Sequence, residues 1–251
     1  PAGSGGSQRI VLGGLGGGSS TFTSEANIQL DTGRAVTLQA GTGGTVTFAN
    51  SWTVHNQASN AVKAPSVTFG SAGNAGTVVI NNTISSQAYA VSLGTARFGG
   101  AEVFVDQTSP VTVGSSLGAA TLDFGTFSQT LATVTFAGNS GRVSNGTLKL
   151  GSGGTAAVTA TGTGHEISAA VALGNAATFG VTNAADWLKV SGAISDASSG
   201  YSLTKNGLGT LELTGVNTYS GATTINAGTV RIAGTAGALS PSSAITGSAG
   251  T

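Results

Sequence analysis

Cysteine and methionine are both missing from the 251 residues. Without cysteine there are no disulfide staples, no thiol nucleophile and no thiolate metal site. A chain without methionine does not begin at an initiator codon, so Pro1 is read as a processed end from which any signal peptide is already gone. Charge is also scarce. Asp, Glu, Lys and Arg make up 7% of the chain, against about a quarter in ordinary globular domains. Nine acidic and nine basic side chains cancel. The basic ones (Arg9, Arg34, Lys63, Arg97, Arg142, Lys149, Lys189, Lys205 and Arg231) are scattered along the chain. No basic stripe forms, which argues against nucleic acid and against an anionic membrane surface as partners. No apolar run approaches the roughly 18 residues of a membrane span. Helical periodicity is missing too, because Gly and β-branched residues interrupt every window.

Glycine is what the chain has in excess, with 42 residues. A Gly-rich chain of low charge invites a reading of disorder. Disorder, however, goes with low hydrophobicity and high net charge, whereas here 39% of residues are apolar and the net charge is zero. The expectation is an ordered all-β chain with many tight corners. Short alternating runs recur: "TVTFAN" (45–50), "SVTFG" (66–70), "TVVIN" (77–81), "EVFVD" (102–106), "VTVG" (111–114), "TLDFG" (121–125), "ATVTFAG" (132–138), "GTLKLG" (146–151), "AAVALG" (169–174), "WLKVSG" (187–192), "SLTK" (202–205), "GTLELTG" (209–215) and "TVRIAG" (229–234). Most end at Gly, Asn or Asp, residues that tolerate the positive φ of a sharp corner.

Such strands suit a sandwich, a barrel or a solenoid, and spacing selects the solenoid. Placing "TLELT" on "TVRIA" sets Leu211 on Val230, Glu212 on Arg231 and Leu213 on Ile232, each 19 apart. Placing "TLDFG" on "TLKLG" sets Asp123 on Lys149 at a spacing of 26, and "TVTFA" falls on "SVTFG" at 21. Apolar meets apolar and acid meets base, as in a stack of coils. Glu212, Arg231, Asp123 and Lys149 are the expected stacking ladder. The expected organisation is an N-terminal arm over residues 1–20 and one solenoid over residues 21–251.

The segment "GTLELTGVNTYSGATTINAGTVRIAG" resembles the passenger-associated, or autotransporter-associated, β-strand repeat. The matching residues are Gly209, Leu211, Leu213, Gly215, Asn217, Tyr219, Gly221, Thr223, Asn226, Gly228 and Val230, within a best match of 202–234. "TLDFGTFSQTLATVTFAGNSGRVSNGTLKLG" (121–151) resembles segments of the same surface proteins, and the first 100 residues share their texture. The resemblance implies a right-handed parallel β-helix on the outside of a bacterium. The chain ends at Thr251 with no outer-membrane barrel or anchor, which leaves a fragment, a released passenger or a separate fibre subunit as the expectation.

Chemistry is hard to find. Asp186 with Asp196, or Asp106 with Asp123, could align across rungs as a carboxylate pair, but the preferred reading makes them corner or ladder residues. His165 and Glu166 are adjacent and point to opposite faces of a strand. With His55 far away, they make neither an acid–base pair nor a metal site. "GGLGGG" (13–18) lacks the Lys-Ser/Thr of a phosphate loop. Trp52 and Trp187 are the aromatics that could stack on a sugar, and Trp187 is read as a packed corner residue. No enzyme, metal or cofactor is expected. The expected function is a structural subunit of a secreted surface fibre. It would assemble head to tail, with Arg9, Ile10, Val11, Leu12 and Leu15 in "RIVLGGL" donating a strand to the next copy. The alternative is an adhesin passenger that binds host or matrix glycans through its lateral face.

Overall fold

The computed structural model describes residues 17–22, 28–30, 36–49, 52–56, 66–104, 107–151, 154–234, 239 and 243–247, with backbone alone at 22, 28–30, 52–56 and 85. Among the described residues there are 27 strands and no helix, so no helix there is long and apolar enough to cross a membrane. The strands stack as a parallel β-solenoid. One ten-stranded sheet runs from Ser19–Phe22 through Ala120–Asp123 to Thr229–Ile232, and a second runs from Val36–Leu38 through Thr133–Phe136 to Ile245–Gly247. A third face is built in two pieces. One comprises Ile28–Leu30, Trp52–Asn56 and Ile84–Ser85, and the other Ser128–Leu131, Thr147–Leu150, Ala170–Leu173 and Ile194–Ser195.

Alternation explains the stack. Along Thr45–Phe48 and Thr133–Phe136 the threonines stay part-exposed while Val and Phe turn inward. The inward residues fall on one another from rung to rung. Val46, Val78, Ala96, Leu122, Val143, Ile167, Val190 and Leu213 make one such column in the first sheet. Val36, Val67, Tyr89, Val111, Val134, Val158 and Phe179 make another in the second. All of these residues are buried. Each large apolar side chain sealed this way contributes on the order of 1.5–3 kcal/mol, and no single rung could bury it alone.

Two expected pairings and one expected strand are corrected. Leu122 lies on Val143, whereas Leu148 belongs to the third face and lies on Gln129. Thr45 lies on Thr77 rather than on Ser66, and Val67 stacks in the second sheet. The similar runs are therefore on different faces of the coil, so their likeness in sequence is not a rung-to-rung register. "EVFVD" does not begin as a strand, because Glu102 adopts φ 49° in a turn and Phe104 makes an isolated bridge to Ile84. Val105 and Asp106 lie outside the described residues. The observed step in the first sheet ranges from 18 residues between Thr77 and Thr95 to 32 between Thr45 and Thr77. Corners take up the difference while the strands stay short.

Candidate functional site

The segment after the strand Leu203–Asn206 places each repeat residue at a point of close contact. Leu211 and Leu213 fill the core. Asn217 is buried, and its Oδ1 accepts the Ile194 N–H at 2.9 Å, standing in for a backbone carbonyl where the third face ends. Buried Tyr219 shares a 2.6 Å hydrogen bond with Thr223, whose Oγ1 lies 2.8 Å from Ser243 Oγ. Asn226 donates to Asn206 Oδ1 at 2.8 Å. Gly228 turns at φ +70°, and a Cβ there would sit 2.4 Å from the Gly209 carbonyl oxygen. Val230 packs partly buried on Leu211.

Lys205 faces inward, in the column that carries Phe179 one rung earlier and Ile225 one rung later. It is 0% exposed. Its Nζ donates to the carbonyls of Asn206 at 2.8 Å, Gly207 at 2.7 Å and Ala227 at 3.2 Å. All three ammonium protons are thereby used, and two successive corners are tied together. Burial pulls its pKa down to about 8. Asp196 does similar work at another corner, accepting from Ser198 N, Tyr201 N, Ser220 N and Ser220 Oγ. Its burial pushes the carboxyl up, but these bonds outweigh that and hold it below the ordinary 3.8.

Charge is concentrated on one outward column of the first sheet. Thr45, Thr77, Thr95 and Thr121 are followed in register by Arg142, Glu166, Lys189, Glu212 and Arg231. The sign alternates over the last five. Arg142 reaches Glu166 at 2.7 Å, Lys189 reaches Glu166 at 3.6 Å, and Arg231 reaches Glu212 at 3.3 Å. Burial raises the Glu166 carboxyl, while the Ser191 hydroxyl, Arg142 and Lys189 outweigh it and hold the group below 4.5. Beside this column Trp187 stands 40% exposed, with the Arg231 guanidinium 5.6 Å from its ring centroid. A groove of about 250 Å³ opens there, lined by Gly164, His165, Glu166, Trp187 and Lys189.

The family model of the passenger-associated-transport-repeat matches residues 203–232. The chain carries a passenger-associated-transport-repeat. Together with the solenoid, the repeat fits an autotransporter passenger β-helix. Searches of curated proteins and of solved structures gave no significant match.

In the transport repeat Glu212 and Arg231 face each other in register. The other expected step of the ladder is corrected. Asp123 bonds Arg97 Nε at 2.8 Å, and Lys149 meets Glu102 at 3.0 Å, because Asp123 and Lys149 lie in different sheets. Trp187 is corrected as well, since it projects from a strand on the lateral face and is not packed at a corner. Asp186 closes a turn, with Asn183 N and Nδ2 each donating at 2.8 Å. Asp196 lies at its own separate corner. His165 is buried, with Gly141 N–H bonding Nδ1 at 3.1 Å and Nε2 lying 3.2 Å from the Thr161 carbonyl. Both ring nitrogens are thereby committed. Among the described residues no three His, Cys, Asp or Glu side chains gather as for a metal ion.

Arg9, Ile10, Val11, Leu12 and Leu15 lie outside the described residues, as does Asp106, and the side chains of Trp52 and His55 are not described. The first strand, Ser19–Phe22, begins inside the arm expected over residues 1–20. Sequence reasoning missed the buried polar residues Lys205 and Gln129. Gln129 accepts from Val103 N and donates to the Gly100 carbonyl, both at 2.7 Å. The one available signal was their place at an inward position of an alternating strand.

Proposed function

We propose that this chain is part of a secreted bacterial surface passenger with a structural, non-enzymatic role, and that it self-associates head to tail into a fibre. The observation that carries the reading is the transport repeat set in two unbroken ten-stranded parallel ladders. Parallel rungs propagate along one axis and offer the same edge at each step. A chain with zero net charge and few charges has little repulsion to oppose such stacking. A non-catalytic role is favoured by the carboxylates, since Asp123, Asp186 and Asp196 are each tied into a corner or an ion pair.

Electron microscopy of the purified chain over a range of concentrations tests the proposal. Unbranched filaments with a one-subunit axial repeat are expected. Deleting residues 1–16, which spares the first strand, is expected to remove filaments and leave folded rods. Rods at every concentration would overturn head-to-tail assembly, and filaments from the shortened chain would overturn the role of "RIVLGGL". Exposed Trp187 favours a second reading, an adhesin whose lateral face binds host or matrix glycans.

A further inference from the structure

We propose that the groove beside Trp187 binds an acidic saccharide, with a hexuronate ring stacked on the indole and its carboxylate held by Lys189. The inference rests on the reading of the lateral face as an exposed passenger surface, and it specifies the ligand that face takes. Trp187 is out of keeping with its neighbours. Its own column continues with Thr210 and Thr229, and the next column is charged. The ring is left 40% exposed beside these polar columns.

The groove follows from the register. His165 lies opposite Leu188, so Gly164 falls beside Trp187 on the preceding rung. Gly164 and Trp187 line the same opening. From the far side, Arg231 holds the ring at 5.6 Å by a cation–π contact. The ring is therefore positioned before any ligand arrives, which lowers the entropy cost of binding.

The size and polarity of the groove select the ligand. Its 250 Å³ corresponds to about eight water volumes, room for one sugar ring and not for a folded peptide. An indole offers an apolar face to the C–H side of a pyranose, while its surroundings stay wet. Hydroxyls meet Glu166 at the groove wall. The column of Arg142, Glu166, Lys189, Glu212 and Arg231 carries three cations and two anions, so one positive charge is left over. Lys189 holds Glu166 only loosely, at 3.6 Å, whereas Arg142 does so at 2.7 Å. Its ammonium has three donors, and its side chain is 42% exposed. A ligand carboxylate is the acceptor that suits it. A cationic ligand would meet the surplus positive charge instead.

Calorimetric titration of the whole chain with trigalacturonate and with the neutral galactose trisaccharide tests the site. Saturable one-to-one binding of the uronate is expected, weakening as salt is raised. Trp187→Ala is expected to weaken it about tenfold or more. Lys189→Gln should bring the uronate down to the affinity of the neutral sugar. Both variants should stay folded with at most a small drop in melting midpoint, because both side chains are partly exposed and each loses a single surface contact. Equal binding by wild type and Trp187→Ala overturns the site, and equal affinity for the two sugars overturns the acidic assignment. If neither sugar binds, acrylamide quenching of wild-type fluorescence against Trp187→Ala separates two failures. An accessible Trp187 then overturns the groove alone, and a shielded one overturns the exposed-face reading beneath it.

Discussion

Lys205 replaces an apolar residue in a core column, and its three carbonyl bonds explain how the fold tolerates it. An unpaired ammonium at that depth would be strongly disfavoured. Here it staples the corner at Asn206 and Gly207 to the corner at Ala227 on the next rung. The lowered pKa makes a pH prediction. Its folded value is about 8, and its unfolded value is about 10.4. Between these values the unfolded chain binds more protons, so this residue's contribution to stability rises with pH across that window. Denaturation midpoints of wild type and Lys205→Met at pH 7.5 and 9.5 should show it. The wild type is expected to gain ~2 kcal/mol more than the variant over that step. Equal changes in the two proteins would show that the lysine does not titrate there. Gly228 illustrates the opposite requirement, since its site has positive φ and no room for a side chain. Its glycine was readable from the sequence as a corner, but the carbonyl of Gly209 against it was not.

At the scale of the strand, side chains on the outer column interact through register. Glu166 lies between Arg142 and Lys189, one rung to either side, and also accepts a 2.7 Å bond from Ser191. Removing its charge is expected to weaken three rungs together. Because both cations are about half exposed, the effect is modest. Glu166→Gln should lose about 1 kcal/mol in low salt, and the loss should shrink in 1 M salt as the pairs are screened. A salt-independent loss in thermal melts would point to the Ser191 bond instead. The Glu212–Arg231 contact was legible from the sequence because the transport repeat is one uninterrupted coil of 19 residues. Asp123 with Lys149 was misread, because a coil has three faces and a match of pattern does not say which face a run occupies.

For the whole molecule, stability is a sum over neighbouring rungs rather than one compact core. Buried and half-buried carboxylates recur along the stack. Glu102, Asp123, Glu166, Asp186 and Asp196 are all held below their ordinary values. In each, burial pushes the carboxyl up, and hydrogen bonds or nearby cations outweigh it. Their contribution is fully present above the unfolded values near 4 and is lost as pH falls through the folded ones. Melting followed by circular dichroism should therefore give a lower midpoint at pH 3 than at pH 7. An unchanged midpoint would mean that these bonds add nothing to the folded state.

Alternation of β-branched and polar residues, closed by Gly and Asn, was enough for the sequence by itself to determine an all-β stack of short strands. That information is local: a period of two sets which side chains turn inward, and a corner needs a residue that tolerates positive φ. The repeat residues from Gly209 to Val230 were readable for the same reason. Tertiary structure alone decided which runs lie on the same face, because corners of unequal length shift the step from 18 to 32 residues without changing the strand pattern. It also decided the fate of isolated residues. Trp187 stayed outside above Gly164, His165 was drawn in over Gly141, and Lys205 found three carbonyls in the core. Each outcome depends on what the neighbouring rung presents, and that neighbour lies some twenty residues away in the chain.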